Sequence, residues 1–166
     1  MKAAATSAPA STLLVRKQIT VKAPPARAFR IFTEKHGSWW PLATHHTGAV
    51  DAVDAVIEPR VGGRWYEKGV DGSECEWGRV QAWEPPSRLV LVWQTGADWK
   101  FDPNLHTEVE IRFDPTTEGH TLLTLEHRHL EAFGEAAPAM QAAFESEQGW
   151  SGLLAIFAAA AGAETA

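Results

Sequence analysis

Three histidines, His36, His45 and His46, lie in an eleven-residue stretch that also holds two adjacent tryptophans and reads HGSWWPLATHH. Imidazole nitrogens bind zinc, but a zinc site needs three or four ligands that converge in a tetrahedron. His45 and His46 are adjacent in a predicted loop, without an established metal-binding spacing. The stretch therefore favours a structural interpretation, in which one of Trp39 and Trp40 faces an interior cavity and the other packs outside it.

A second histidine pair, His127 and His129, is spaced by one residue on a predicted strand, so both side chains are expected on one face. His106 or Glu108 on the preceding strand could add a third metal ligand, since paired strands bring side chains within about 5 Å. The pattern favours the alternative, a strand end with two solvated histidines. Two leucines of the strand share the parity of His127, so this side chain could also extend an inner face at a cavity mouth.

Acid–base chemistry would need a buried carboxylate, and the candidates are Glu67 and Glu76, which flank a predicted hairpin turn. A hairpin with charged outer residues is the alternative that the pattern favours. Trp65 shares a face with Glu67, so the two either give a cavity an aromatic wall and an anchoring charge or point outward. No nucleophile, zinc-protease, P-loop or dinucleotide motif occurs, and Cys75 has no activating neighbour. The sequence therefore assigns no catalytic residue, metal or cofactor.

Composition narrows the class of protein. The chain has 166 residues, which favours one domain, and a net charge of −6, which argues against nucleic acid and anionic membranes as partners. No segment approaches the roughly 20 apolar residues of a membrane span. The single cysteine agrees with a cytoplasmic protein. The chain contains eight tryptophans and one tyrosine, so we expect indoles to line a shared interior.

The elements that must position these residues are mostly strands. Residues 12–22 predict a first strand, and PARAFRIFT predicts a short helix with an apolar stripe. From residue 50 onwards, short apolar or alternating runs are separated by turn residues, a pattern typical of an antiparallel meander. RLVLVWQTG is nearly continuous in apolar residues and predicts a strand buried on both faces.

The strand predicted at ECEWGRVQAWEPP has large and small residues on opposite parities. The large set consists of Trp77, Arg79, Gln81 and Trp83. We expect the small set to face a helix and the large set to form an outward aromatic patch, which would suit a partner or dimer contact. The chain is accordingly expected to be a monomer or a homodimer.

A long helix is predicted near residues 136–161, where apolar residues follow helical spacing. Gly149 and Gly152 lie three residues apart on one side of it, where another backbone or a ligand is expected to approach closely. The element order is thus a strand, a short helical region, an antiparallel meander and a long helix. This order predicts an α+β domain whose curved sheet wraps the last helix.

Four segments carry a resemblance to a known family. They are FRIFTEKHGSWWP, VGGRWYEKGVDGSECEWGRVQAWEPPSRLVLVW, TEVEIRFDPTTEGHTLLTLEHRHL and GWSGLLAIF. In this order, over roughly residues 13–161, they resemble the bacterial homologues of the heat-shock-protein-90 ATPase activator domain, in the START-like (SRPBCC) superfamily. The resemblance implies the helix-grip fold: a curved antiparallel sheet of six or seven strands around a long C-terminal helix, with short helices after the first strand.

Composition and the extent of the resemblance together divide the chain, and the resemblance implies a set of functions. Residues 1–11 are expected to be a disordered tail, 12–162 the START-like domain, and 163–166 a C-terminal tail. Helix-grip relatives hold ligands between sheet and helix; many bind lipids, hormones or polyketides, some catalyse cyclisation or hydrolysis, and the eukaryotic namesake stimulates a chaperone.

The leading hypothesis is a non-enzymatic protein that holds a small hydrophobic or aromatic ligand in this cavity. The alternatives are a chaperone ATPase co-regulator and a cyclase or hydrolase that uses a polar group such as Glu67 or His127. The candidate cavity residues are Trp39, Trp40, Trp65, Glu67, Trp93, His127, Trp150 and Leu154.

Overall fold

Seven strands form one antiparallel sheet in the computed structural model, which describes residues 13–163. The sheet order is β1-β7-β6-β5-β4-β3-β2, so β2 to β7 are a meander and β1 closes on β7. The strands are β1 (Val15–Val21), β2 (Ala52–Ile57), β3 (Arg64–Gly69), β4 (Glu74–Glu84), β5 (Arg88–Trp93), β6 (Thr107–Pro115) and β7 (Thr121–Arg128). The predicted tails lie outside the described residues, except for Ala163.

Helices precede and follow the meander. Helix α1 (Pro25–Thr33) begins with a proline at its first position, where the missing N–H costs nothing, and α2 (His36–Trp39) follows it. After β7 come a 3-10 segment (Leu130–Ala136), α3 (Ala137–Glu145) and α4 (Trp150–Ala163). Ala28, Phe29 and Phe32, the predicted stripe of α1, are buried.

The C-terminal helical stretch is present as predicted, with an interruption between α3 and α4. A Cβ added at Gly149 would collide with the carbonyl oxygens of Ala143 and Phe144, and one added at Gly152 would collide with that of Glu147. The expected close approach of another backbone is therefore made by the preceding turn of the same stretch. These two glycines allow the chain to fold back tightly at the break.

Strand β5 is buried on both faces, as predicted. Val90 and Val92 lie on the outer face and are only 1% and 3% exposed. Around them, Arg88 Nε lies 2.6 Å from Glu110 Oε2, and Arg128 Nη1 lies 3.0 Å from Glu110 Oε1. The aliphatic parts of such side chains cover apolar surface while their charged ends stay paired.

Two β-bulges change which side chains of β4 face inward. Trp77 has no partner residue in the register of β4 with β3, and Gln81 has none in the register of β4 with β5. Trp77 is consequently buried, and Trp83 packs edge-on against Phe29, with ring centroids 5.1 Å apart. The predicted outward aromatic patch is therefore wrong, because strict alternation holds only along an unbroken ladder.

The inner face of the curled sheet packs against α1 and the C-terminal stretch, and one buried cluster joins all three. The prediction of a helix-grip fold is confirmed by this arrangement of seven strands, short helices after β1 and a C-terminal helical stretch. Among residues 13–163, no helix has the length and apolar character needed to span a lipid bilayer.

Candidate functional site: an indole-walled cavity

A cavity of about 440 Å³ lies between the sheet and the C-terminal helical stretch. Three regions surround it: the segment after α2, the ends of β4 and β5 with the loop that follows, and the break between α3 and α4. Its lining consists of Trp40, Thr44, His45, His46, Thr47, Trp77, Trp93, Thr95, Trp99, Ala143, Phe144, Ser146, Gln148, Gly149, Trp150 and Leu153. We call the part of the interior around Trp40, Trp77, Trp93 and Trp150 the cavity end.

Each of the four indoles at the cavity end donates its N–H to a protein acceptor. The donor–acceptor distances are 2.9 Å for Trp40 to the His45 carbonyl, 2.8 Å for Trp77 to Glu67 Oε1, 2.9 Å for Trp93 to the Thr95 carbonyl and 3.1 Å for Trp150 to His127 Nδ1. A buried indole N–H needs such a partner, and the bond fixes the tilt of the ring. The wall of the cavity is therefore held in place by hydrogen bonds as well as by packing.

Glu67 anchors one side of this wall. Its side chain is 2% exposed, and Oε1 accepts the Thr47 backbone N–H at 2.6 Å and the Thr47 hydroxyl at 3.0 Å. Oε2 accepts the Gly48 N–H at 3.0 Å. With the bond from Trp77, this carboxylate ties the segment after α2 to the sheet. In the strand register, Glu67 is opposite Cys75 and Glu76 is opposite Tyr66.

His127 lies directly behind Trp150. It is 0% exposed, Nδ1 accepts the indole N–H, and Nε2 lies 2.9 Å from the Thr107 hydroxyl. Burial lowers the pKa of His127 to about 3, so the ring is neutral near neutral pH. His129, by contrast, has a backbone φ of 66° and a side chain that is 51% exposed, so the two histidines do not share a face.

His36 plays the equivalent part for Trp65. It is 1% exposed, its Nε2 accepts the Trp65 indole N–H at 3.1 Å, and its Nδ1 donates to the Phe32 carbonyl at 3.1 Å. Burial lowers the pKa of His36 to about 3, although the bond to Phe32 acts in the opposite direction. Both buried histidines therefore act as neutral hydrogen-bond acceptors for indoles.

The rest of the aromatic interior is filled. We call the group formed by Phe29, Phe32, Trp39, Phe113 and Phe157 the closed end. Its rings pack mostly edge to face, with centroids 5.0 to 5.9 Å apart. The Trp39 indole N–H is buried and has no hydrogen-bond partner among the described residues.

The candidates named from the sequence fall into two groups. Trp40, Trp93 and Trp150 line the cavity. The others are buried outside its lining: Trp39, Trp65, Glu67, His127 and Leu154. Of these, Glu67 and His127 accept the N–H groups of the lining indoles Trp77 and Trp150, and Trp39 is part of the closed end.

Several lining residues escaped the sequence analysis. Trp77 was assigned to the wrong face because of the bulge. Thr95 lies near the end of the apolar run that predicted β5, and Trp99 lies in the segment after that run. Trp99 lies at the rim, 47% exposed, with a backbone φ of 61° that is unusual for a bulky residue. His45 closes the same rim, since its Nε2 lies 2.7 Å from the Gln148 carbonyl in the break between α3 and α4.

Metal chemistry has no support from the geometry. Within residues 13–163, no group of three or more His, Cys, Asp or Glu side chains is arranged to hold an ion. What the site offers instead is aromatic surface with a few polar atoms, a lining typical of small-molecule pockets.

Comparison with known proteins agrees with this description. The family model described as "Activator of Hsp90 ATPase homolog 1-like protein" matches residues 22–162. The chain is 34% identical to an anthrahydroquino-gamma-pyrone synthase, Txn09, solved as a complex with SUM; the TM-score is 0.63, and the match covers 88% of this chain and 95% of that one.

Two other solved structures extend the comparison. CalC, a self-sacrificing resistance protein from Micromonospora echinospora, is 30% identical, with a TM-score of 0.68 and coverage of 92% of this chain and 97% of that one. NE0264 from Nitrosomonas europaea, at 16% identity and a TM-score of 0.63 over 91% of this chain and 95% of that one, shares the fold. No curated protein matches the chain.

Proposed function

Because the chain belongs to the activator of Hsp90 ATPase homolog 1-like family, we propose that it binds a small apolar or aromatic ligand in the cavity between the sheet and the C-terminal helical stretch. The observation that carries the proposal is the indole wall. Four buried tryptophans surround about 440 Å³ of space, and their N–H groups are already bonded to protein. Such a wall offers ring faces to a guest, and the volume lies within the roughly 300–1,000 Å³ of ligand pockets.

The relatives support an aromatic guest. The synthase at 34% identity is named for an anthrahydroquino-gamma-pyrone and was solved as a complex. Flat fused rings suit a slot between indole faces, because offset-stacked and edge-to-face aromatic contacts add to the gain from burying apolar area. We therefore propose fused aromatic compounds as the first class of ligand to examine.

The test uses two variants that introduce phenylalanine at adjacent positions of one helix, one in the cavity lining and one exposed to solvent. Ala143 lines the cavity, whereas Ala142 is exposed on the neighbouring position of α3. Anthraquinone and palmitic acid are titrated while tryptophan fluorescence is recorded. Wild type and Ala142→Phe are expected to respond to anthraquinone, and Ala143→Phe is expected to lose the response because phenylalanine occupies the space. Silence of the wild type towards both compounds would count against the proposal.

A role as chaperone ATPase co-regulator is the second candidate, favoured by the description of the family model. It is tested by measuring the ATPase rate of a bacterial heat-shock-protein-90 homologue with and without this protein. A rate increase that survives in Ala143→Phe would support this role independently of the cavity. An unchanged rate at saturating protein would exclude it.

An enzymatic role is favoured by one observation, the synthase among the relatives. Glu67 and His127, the polar groups first considered for catalysis, both make hydrogen bonds within the protein and lie outside the lining. A cyclase or hydrolase would therefore use other groups. Mass spectrometry of each bound compound after incubation, compared with Ala143→Phe, separates turnover from simple binding.

A further inference from the structure

The polar atoms of the cavity differ in how much hydrogen-bonding capacity they retain. Four lining side chains are engaged with protein: Thr44, His45, Thr47 and Ser146. The Trp99 indole and the Gln148 side chain are exposed at the rim. Two lining groups remain, the imidazole of His46, whose side chain is 22% exposed, and the hydroxyl of Thr95.

His46 presents an acceptor. Its Nδ1 lies 3.2 Å from the Gly48 carbonyl oxygen and 3.9 Å from Glu67 Oε2, and both oxygens accept, so Nδ1 carries an N–H. In the neutral form of the imidazole, Nε2 holds a lone pair, and this atom makes no hydrogen bond with any residue from 13 to 163. The backbone next to the ring is held in place, because Glu67 accepts the N–H groups of Thr47 and Gly48 directly after it.

Thr95 presents a hydroxyl. The residue is 2% exposed and lines the cavity, and its Oγ1 has no hydrogen-bond partner in the described part of the chain. Oγ1 is accessible from the cavity, so water or a ligand there can satisfy it. Its own backbone carbonyl accepts the Trp93 indole N–H, so the residue is fixed against the aromatic wall.

We propose that His46 and Thr95 determine the specificity of the cavity, and that they select a fused aromatic ligand bearing both a ring hydroxyl and a ring carbonyl. This inference rests on the proposed function. The ligand hydroxyl donates to His46 Nε2, and the ligand carbonyl accepts from Thr95 Oγ1. The ring system lies between the four indoles of the cavity end, whose N–H groups are all bonded to protein.

The experiment compares two probes that differ only at the hydroxyl, 2-hydroxyanthraquinone and 2-methoxyanthraquinone. Wild type is expected to bind the hydroxyl probe roughly tenfold more tightly, because a well-placed hydrogen bond in a partly buried site contributes up to about this factor. His46→Phe removes the acceptor and should abolish the preference, while affinity for the methoxy probe stays within about twofold.

Two further variants separate the roles. His46→Asn keeps a donor for the Gly48 carbonyl but has no acceptor at the Nε2 position, so it should also lose the preference if the phenylalanine variant does not fold. Thr95→Val should weaken both probes about fivefold, because both carry the ring carbonyl. His106→Phe, a substitution of an exposed imidazole that does not line the cavity, should change neither affinity.

The outcomes distinguish this inference from the function on which it rests. Equal binding of the two probes by wild type, or a preference that persists in both His46 variants, overturns the inference and leaves ligand binding intact. Loss confined to the hydroxyl probe at His46, with loss of both probes at Thr95, supports it. Failure of wild type to bind either probe overturns the inference and argues against an aromatic guest as well.

Discussion

The closed end and the cavity end are built from the same kinds of residue, yet one is filled and the other is hollow. At the closed end, four phenylalanines and Trp39 interlock, and no ring there makes a side-chain hydrogen bond to the protein. At the cavity end, each indole N–H is bonded to an acceptor that lies behind or beside the wall. Rings without polar attachments are free to pack into the available space, whereas bonded rings are held at fixed positions. The hydrogen bonds therefore help to keep the cavity open.

The largest expected effect is a substitution at the closed end. Phe32 is 1% exposed and contacts Trp39, Phe113 and Phe157. Phe32→Ala should lower the free energy of unfolding by about 4 kcal/mol, because it removes buried apolar surface and leaves a cavity among rings that cannot collapse. Urea denaturation measures this. A loss below about 1 kcal/mol would show that the closed end repacks freely and is not packed more tightly than the cavity end.

Acid should weaken the molecule through its two buried histidines. Each has a pKa of about 3 in the folded protein and about 6.5 when unfolded, so below pH 6.5 only the unfolded chain takes up the proton. Stability is thus complete above pH 6.5 and falls as the pH drops towards 3. The loss should reach about 2 kcal/mol for each of His36 and His127 at pH 5.

The measurement is urea denaturation between pH 7 and pH 5, where the slope of stability against pH counts the protons involved. Wild type should give a slope that approaches two protons, and His127→Gln, which keeps an acceptor for Trp150, should give one. The Glu108 carboxyl does not interfere: burial raises its pKa, but hydrogen bonds from His106, Gln81 and Arg128 outweigh this and lower the pKa to about 2. A slope near zero for wild type would contradict this account.

A matched pair of tryptophan substitutions tests the hydrogen bonds directly. Trp39 and Trp77 are 3% and 4% exposed, but only Trp77 has a partner for its N–H. Changing either to phenylalanine removes similar volume. Trp77→Phe should cost about 1.5 kcal/mol more than Trp39→Phe, since Trp39 loses only an unpaired donor while Glu67 loses one of its bonds. Equal losses in thermal or urea denaturation would show that the N–H partners contribute nothing.

The smallest effect on stability is expected at the rim of the cavity end. Trp99→Ala should change the free energy of unfolding by no more than about 0.5 kcal/mol, because the side chain is half exposed. The same variant should weaken anthraquinone binding several-fold, since the indole forms part of the lining. Phe101→Ala, on the same loop but outside the lining, is the control. Unchanged affinity in Trp99→Ala would remove Trp99 from the site.

Most of the sheet could be predicted because its signals are local. Strand β6 alternates cleanly, β5 is an apolar run, and turn residues separate the strands. The inward face of β4 could not be predicted, because the bulges at Trp77 and Gln81 reverse the parity of the strand, and a bulge depends on how neighbouring strands pair.

The candidate site was harder to predict than the fold. Indoles were expected in the wall, and Trp40, Trp93 and Trp150 are there. The polar atoms were not anticipated, because Thr95 is an ordinary residue at a strand end, and His46 was considered only as a metal ligand. Their importance comes from the hydrogen-bond partners that they lack, and a missing partner can be identified only in the folded chain.

The four hydrogen bonds of the indole wall also differ in their evolutionary freedom. Trp40 and Trp93 donate to backbone carbonyls, which any amino acid at positions 45 and 95 would supply. Trp77 and Trp150 depend on side chains that few substitutions could replace, Glu67 and His127. Substitutions at positions 45 and 95 can therefore change the lining while Trp40 and Trp93 keep their acceptors, whereas loss of the acceptor at Glu67 or His127 would leave Trp77 or Trp150 without its bond.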